Sequence, residues 1–288
     1  MIYWANHFHS SNTMQHMNLE LQTAIKAAKA AGAITLSRFG ELSQREIVAK
    51  EHKDFVTEVD KQCEAVISAT ITEAFPDDGL LCEEGTSGKG ASGRTWIVDP
   101  LDGTLNFIHS FPVFGISIAM TDANGELAVG VVYQPVLDEL FTAVRGEGAF
   151  LNGDRIGIST REDKQGFLFA TGLPFRDYDH YMDGYIAMLR DVIADSAGIR
   201  RAGSASIDLA YTAAGRFDGF FEYRLFPWDF SAGVLLVREA GGIVTGIDGS
   251  DDVFAHTSIL AGSLLTHSLL LEKARKHFGT GSAGSSSI

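Results

Sequence analysis

Two aspartates, Asp99 and Asp102, stand three residues apart directly after residues 96–98, an apolar segment typical of a buried strand end. Hard divalent cations such as Mg²⁺ bind carboxylate and carbonyl oxygens, and they keep waters and substrate phosphate oxygens in their shell. Pro100 stiffens the backbone between the two carboxylates, and the carbonyl of Leu101 can turn toward a metal. The spacing therefore predicts a divalent metal site at the end of this strand.

The next two residues favour a phosphate beside that metal. Gly103 lets the backbone approach a ligand closely, because glycine has no side chain. Thr104 stands at the predicted start of a helix, where backbone N–H groups and the helix dipole attract a phosphate. For Asp102 and Gly103 alone, a simple turn with a helix cap is the more common structure. The whole segment WIVDPLDGTLNF at 96–107 favours the metal and phosphate site.

Carboxylates in two distant segments are candidates to complete the cluster. Asp229 stands at the predicted start of an apolar helix, and small residues follow at 231–233, as if the first turn needs room beside it. A plain N-terminal cap is the alternative interpretation of Asp229. Glu83 and Glu84 follow a short apolar segment, and the alternative for them is a solvated loop.

Helices and strands alternate along the chain in a way that is typical of layered α+β and α/β domains. Hydrophobic periodicity predicts helices over residues 18–39, 60–74 (with Thr57 or Asp60 as the cap), 178–194, 204–214, 229–240 and 264–277. Strands are predicted over residues 45–49, 80–82, 96–98, 115–121, 128–133, 139–143, 149–151, 167–171, 200–201, 219–222, 243–247 and 258–261. Residues 50–60 and 85–94 are predicted to be loops.

Composition excludes several classes of protein. The 288 residues carry a formal net charge of −14 and no basic stripe, so we expect no nucleic-acid partner. No apolar run is long enough to cross a membrane, so no membrane association is expected. Two distant cysteines, Cys63 and Cys82, indicate a reducing compartment and a cytoplasmic protein. Residues 1–16 and 279–288 are predicted to be flexible termini.

Several motifs in the same order resemble the inositol monophosphatase family of Mg²⁺-dependent, lithium-sensitive phosphatases. The matching segments are CEEG at 82–85, the segment at 96–107, PWDFSAGVLLVREAGG at 227–242, DFVTEVD at 54–60 and RRAGSASIDLAYTAAGRFDGFFE at 200–222. The resemblance extends over about residues 17–277. It implies the five-layered αβαβα sandwich of the sugar-phosphatase superfamily and a homodimer. We expect an N-terminal α+β part over 17–155 and a C-terminal α/β part over 156–278.

The resemblance also implies a set of metal ligands for two or three Mg²⁺ ions per active site. One ion would be held by Glu83, Asp99 and the carbonyl of Leu101, and a second by Asp99, Asp102 and Asp229. A third, more weakly bound ion would face Glu83 through water.

Further residues are implied to bind the substrate. Thr104, supported by Asp60, would orient the attacking water, and the backbone of Gly103 and Thr104 would bind the phosphate. The alcohol side of the pocket would be lined by Gly203, Ser204, Ala205 and Glu222. Lys50 matches a position near the active-site loop.

The implied reaction is hydrolysis of a small phosphorylated polyol or sugar by metal-activated water. Inositol monophosphate is the expected substrate. A fructose-1,6-bisphosphatase or a dual-specificity sugar phosphatase is the alternative within enzymes. Arg224 stands where many relatives have glycine, and Leu173 replaces a polar pocket residue of some relatives, so substrate choice is expected to differ there. The alternative of another class is a regulatory binding protein with residual phosphatase activity.

Overall fold

The computed structural model describes residues 18–42, 47–51, 54–174, 178–255 and 257–278. The segments predicted as flexible termini, 1–16 and 279–288, lie outside these residues. Seven α-helices occur in the described part: α1 (Leu19–Arg38), α2 (Glu58–Ala74), α3 (Thr104–Ile108), α4 (Tyr178–Ala194), α5 (Ala205–Ala213), α6 (Pro227–Glu239) and α7 (Leu264–Phe278). None of them is long and apolar enough to cross a membrane.

The described strands form three sheets. The first ten strands are β1 (Ile47–Glu51), β2 (Asp54–Thr57), β3 (Gly79–Cys82), β4 (Ser87–Gly88), β5 (Thr95–Asp102), β6 (Gly115–Thr121), β7 (Leu127–Gln134), β8 (Glu139–Val144), β9 (Gly148–Leu151) and β10 (Asp154–Arg155). They are followed by β11 (Leu168–Thr171), β12 (Gly198–Arg200), β13 (Gly219–Tyr223), β14 (Ile243–Thr245) and β15 (Ser258–Gly262).

The large sheet has eight strands in the order β10-β9-β8-β7-β6-β5-β3-β4, and its strands are antiparallel except for the parallel pair β3 and β5. The small sheet has five strands in the order β12-β11-β13-β15-β14. Within it, β11 runs parallel to β12 and β13, and β15 runs antiparallel to β13 and β14. Strands β1 and β2 form a separate antiparallel hairpin.

Three apolar cores stack the helices and sheets into five layers. The first core lies between α1, α2 and one face of the large sheet. The second places α5 and α6 between the two sheets, and the third packs α4 and α7 on the outer face of the small sheet. The predicted αβαβα sandwich is confirmed. The division of the chain at residues 155 and 156 stays a prediction.

The predicted helices and strands need few corrections. The predicted loop over 50–60 is wrong, because residues 54–57 form β2 and pair with β1. Within the predicted loop over 85–94, residues 87 and 88 form the short strand β4. The predicted strand over 45–49 begins at residue 47 in the described part, and residues 45 and 46 lie outside it. Helix α6 begins two residues earlier than predicted, at Pro227, because proline suits the first turn of a helix.

One irregularity in β5 changes the directions of the side chains at the predicted metal site. Asp99 pairs with Ser117 of β6, whereas Asp102 pairs with Gly115, so β5 carries one extra residue between the two aspartates. In a regular strand, side chains three residues apart point to opposite faces. The bulge between Asp99 and Asp102, a stretch in which Pro100 cannot donate a ladder hydrogen bond, changes that alternation and redirects the side chains that follow.

Candidate active site

Asp99 is the buried centre of an acidic cluster at the end of β5. Its side chain is 1% exposed, and its Oδ1 accepts a hydrogen bond of 3.0 Å from the backbone N–H of Leu101. Burial raises the pKa of Asp99 well above its usual value, and the nearby charges of Glu83, Asp102 and Asp229 raise it further. The four carboxyl groups predicted as metal ligands therefore lie close enough to act on one another.

Glu83 reaches this cluster because β3 runs parallel to β5. Cys82, the last residue of β3, pairs with Val98, which directly precedes Asp99. The backbone N–H of Glu83 then donates a hydrogen bond of 3.1 Å to the carbonyl of Val98. Glu83 is half-buried, which differs from the solvated loop that was the alternative interpretation.

Asp102 is held by the start of α5 rather than by a local turn. Its Oδ2 accepts hydrogen bonds from the Ser204 hydroxyl (2.6 Å), the Ser206 hydroxyl (2.5 Å) and the Ser206 backbone N–H (2.7 Å). Burial raises the pKa of Asp102, and these hydrogen bonds oppose that rise. Ser204, which was predicted to line the alcohol side of the pocket, thus donates its hydroxyl hydrogen to Asp102, and its role at the pocket stays a prediction. Ala205 is buried at the first position of α5.

Asp229 occupies the third position of α6 rather than the cap position itself, and its carboxyl group takes part in capping the helix. Its Oδ2 accepts a hydrogen bond of 2.7 Å from the backbone N–H of Phe226, the residue before the helix. The small residues after it have a packing role, because a Cβ on Gly233 would lie 2.5 Å from the Cβ of Leu209 on α5. The small side chains after Asp229 therefore leave room for the neighbouring helix α5.

Thr104 and Asp60 form a hydrogen-bonded pair on the other side of the cluster. The Thr104 Oγ1 lies 2.9 Å from Asp60 Oδ1 and 3.1 Å from the carbonyl oxygen of Leu101. Asp60 is fully buried, and burial raises its pKa against the opposing hydrogen bonds from Thr57 and Thr104. Thr57 caps α2, and its backbone N–H donates to Asp60, so both candidates for the cap take part.

The backbone at Gly103 meets the loop before α5. Gly103 has φ +96°, and a Cβ there would lie 3.1 Å from the Val113 carbonyl and 3.3 Å from the Gly203 carbonyl. The Asn106 amide donates hydrogen bonds to the carbonyls of Val113 (2.6 Å) and Ala202 (2.9 Å). Asn106, on α3, therefore ties the segment at residue 113 to the loop before α5 that was predicted to contact the alcohol. Sequence reasoning missed this role.

Glu222 lies on β13, and its carboxyl group occupies the space beside Gly172, where any side chain would collide with it. Asp208 is a buried neighbour whose pKa is raised well above its usual value by burial and then by the charges of Glu222 and Asp102. The charges of Glu222, on the predicted alcohol side, and of Asp102, on the predicted metal side, thus both act on Asp208.

Three predicted positions remain: Arg224, Leu173 and Lys50. Arg224 has φ +63°, a left-handed conformation in which glycine is common and arginine is rare. Leu173 is half-buried and packs against the outer apolar core. The Lys50 backbone belongs to β1, and its side chain lies outside the described part of the chain.

A divalent cation suits this set of donors by its chemistry. Among the described residues, no three His, Cys, Asp or Glu side chains meet in an arrangement ready to hold a metal. The cluster nevertheless gathers hard oxygen donors whose negative charges raise the pKa of Asp99, and a bound cation would relieve that repulsion. The ligand set is therefore compatible with Mg²⁺.

Comparison with known proteins gives one consistent result. The sequence profile of the inositol monophosphatase family matches residues 17–278. The chain is 44% identical over 262 residues to a Nus factor named SuhB from Pseudomonas aeruginosa, covering 89% of this chain and 96% of the relative. It is 41% identical over 262 residues to an inositol-1-monophosphatase from Mesorhizobium japonicum, covering 90% and 96%.

Solved structures agree with the sequence relatives. The extragenic suppressor protein suhB from Bartonella henselae has a TM-score of 0.86 and 40% identity, covering 90% of this chain and 99% of that chain. The inositol monophosphatase from Anabaena has a TM-score of 0.79 and 36% identity, covering 90% and 96%. The acidic cluster, the layered fold and these relatives together show that this chain belongs to the inositol monophosphatase family.

Proposed function

We propose that the protein is a Mg²⁺-dependent phosphatase of small phosphate monoesters, and that inositol monophosphate is its first substrate. The observation that carries this proposal is the buried Asp99 beside the hydrogen-bonded Thr104–Asp60 pair; burial raises the pKa of Asp99, and the charges of three further carboxyl groups raise it further. Family membership supports the same reaction, since an inositol-1-monophosphatase is among the relatives.

The proposed metal ligands are Glu83, Asp99 and the Leu101 carbonyl for one ion, and Asp99, Asp102 and Asp229 for a second. Glu83 would also face a third ion. When bound, Mg²⁺ would make water a stronger acid at neutral pH and would offset the negative charge on the phosphate oxygens. Hydrogen bonds from the hydroxyls of Ser204 and Ser206 hold the Asp102 carboxylate in place. The backbone N–H of Phe226 holds the Asp229 carboxylate in the same way.

Thr104 is proposed to aim the attacking water. Its hydroxyl proton is directed to Asp60 or to the Leu101 carbonyl, so an oxygen lone pair is left to accept a hydrogen bond from water. That hydrogen bond would orient the water toward phosphorus. Asp60 is fully buried and acts only through Thr104. The N–H groups of Gly103 and Thr104 would donate to the phosphate.

Glu222 is proposed to accept hydrogen bonds from hydroxyl groups of the leaving alcohol, with Gly203, Ser204 and Ala205 forming the adjoining wall. The same proposal includes sensitivity to lithium, a homodimer and a cytoplasmic location. Phosphate release from inositol, sugar and nucleotide phosphates, measured with Mg²⁺ and with chelator, tests the substrate class. Absence of Mg²⁺-dependent release from every phosphate would refute the proposal.

A sugar bisphosphatase is the second candidate among enzymes, and the cationic side chain of Arg224, two residues after Glu222, favours it because a guanidinium pairs well with a second phosphate. We predict that Arg224→Ala reduces kcat/KM on fructose 1,6-bisphosphate by about 10-fold, the equivalent of one charge-assisted hydrogen bond, with less change on inositol 1-phosphate. An equal small loss on both substrates would rule out this role for Arg224.

A regulatory role is the candidate of another class, and it is favoured by relatives named Nus factor SuhB at 44–45% identity. Such a role does not require turnover. Complementation of an Escherichia coli strain that lacks its own SuhB, with wild-type protein and with Asp99→Asn, separates the two roles. Equal complementation by both would assign the role to binding, and failure of Asp99→Asn alone would assign it to catalysis.

A further inference from the structure

Glu64 is a buried carboxylate that the proposed reaction does not use. It lies on α2, one turn after Asp60, and its side chain belongs to a residue that is 4% exposed. Its two oxygens accept backbone hydrogen bonds from Glu84 (2.7 Å to Oε2) and Thr86 (2.9 Å to Oε1). Glu64 thus fixes α2 to the turn that directly follows Glu83 through two hydrogen bonds.

Besides its own hairpin, this turn is tied to two neighbouring elements. On one side, the N–H of Glu83 donates to the Val98 carbonyl next to Asp99 (3.1 Å). On the other side, both oxygens of Glu64 are used by the backbone of residues 84 and 86. Gly85 between them has φ +118°, and the turn is also closed by a hydrogen bond of 3.1 Å from the Cys82 N–H to the Thr86 carbonyl, beside the pairing of β3 with β4.

The spacing on α2 connects the two halves of the site. Asp60 and Glu64 are four residues apart, and residues at this spacing lie on the same face of a helix. Asp60 accepts a hydrogen bond from the Thr104 hydroxyl, and Glu64 accepts a backbone hydrogen bond from Glu84 in the turn after Glu83. One rigid helix therefore sets the position of the residue proposed to aim water and of a proposed metal ligand.

We propose that Glu64 is a positioning residue that holds the Glu83 carboxyl group against Asp99 and so tunes the affinity for Mg²⁺. This inference rests on the proposed function, because it needs Glu83 to be a metal ligand. Groups that orient metal ligands from outside the coordination shell commonly change metal affinity 10–100-fold when they are mutated.

The test is calorimetric titration of the purified protein with Mg²⁺, together with amide hydrogen exchange of the metal-free protein. Glu64→Gln keeps the size of the side chain but sets an amide NH₂ against one backbone N–H, so one of the two hydrogen bonds is lost. We expect Mg²⁺ affinity to fall about 10-fold, with faster exchange at residues 84–86 and unchanged exchange in α6. Glu73→Gln, the same change at an exposed position of α2, should match wild type in both measurements.

A double variant shows whether Glu64 acts through Glu83. In the Glu83→Gln background, Glu64→Gln should cause no further loss of Mg²⁺ affinity, because the ligand that it positions is already gone. Additive losses, or faster exchange throughout the protein, would show a general structural role and overturn the inference. Unchanged Mg²⁺ affinity in Glu64→Gln would also overturn it. Absence of Mg²⁺ binding by the wild-type protein would instead refute the proposed function.

Discussion

At the scale of single residues, the site depends on carboxyl groups that folding brings together against their mutual repulsion. Burial raises the pKa of Asp99, and the charges of its three acidic neighbours raise it further. A fold that served stability alone would gain by replacing such a group. A cation bound there would offset this repulsion, and this expectation is the basis of the proposed function.

The space beside Glu222 gives a second prediction at this scale. Because a side chain at residue 172 would displace the Glu222 carboxyl group, Gly172→Ala should raise KM for inositol monophosphate about 10-fold, the equivalent of one lost hydrogen bond to a hydroxyl. Turnover of p-nitrophenyl phosphate, which has no such hydroxyls, should change little. Steady-state kinetics on both substrates measure the difference.

Gly88→Ala is the matched control for this change. A Cβ on Gly88 would meet nothing within 4 Å, so this variant should behave as wild type on both substrates. If Gly172→Ala slows both substrates equally, the change acts on the whole site and Glu222 is not a selective contact for the alcohol.

At the scale of helices and strands, local patterns in the sequence predicted most of the architecture. The bounds of α4 and β6 agree with the structure because each has one clear hydrophobic period over its full length. The hairpin of β1 and β2 was missed, because its strands are short and flanked by charged residues. The bulge in β5 was not predicted either, although Pro100 is its sequence signal.

Contacts between distant segments were beyond sequence reasoning. Ser206 lies 104 positions from Asp102 and Glu64 lies 20 positions from Glu84, and no local spacing relates them. The acidic residues themselves could be chosen from the sequence, because strand ends and helix starts mark them. The hydrogen bonds that hold them depend on how α2, α5 and β5 pack.

The close packing of α5 on α6 makes a prediction about stability. Gly233→Ala should destabilise the protein by about 1–3 kcal/mol through overpacking, because its Cβ would lie 2.5 Å from that of Leu209. Helix propensity alone predicts the opposite sign, a gain of about 1 kcal/mol. Urea unfolding decides between them. In a Leu209→Gly background, which lacks that Cβ, Gly233→Ala should no longer destabilise the protein, and a more stable single variant would contradict the packing explanation.

At the scale of the whole molecule, both cysteines report on the core between the first helices and the large sheet. Cys63 and Cys82 are buried in that core, and burial raises the pKa of each thiol to about 12. Native protein at pH 8 should therefore react with a thiol reagent on the order of 10³-fold more slowly than unfolded protein. Rapid labelling of the native protein would show that this core opens readily.

The same thiols predict how stability changes in alkaline solution. Their pKa in the folded state lies above the unfolded value of about 8.5, so the folded state binds more protons between these values. Their contribution to the free energy of unfolding is present below about pH 8.5 and is lost as the pH rises toward 12. Urea unfolding from pH 8 to 11 measures this loss, and replacement of both cysteines by alanine should reduce it.

The whole chain carries a formal net charge of −14, so a phosphate ester approaches this molecule against an unfavourable field. Cations bound at the acidic cluster would reverse that field locally. The most direct test is phosphate release from inositol monophosphate by wild-type protein and Asp99→Asn, each with Mg²⁺ and with chelator. We predict release only by the wild-type protein with Mg²⁺, and a loss of at least about 100-fold in Asp99→Asn while its thermal unfolding stays cooperative. Near-normal release by Asp99→Asn, or by the wild-type protein in chelator, would contradict this account.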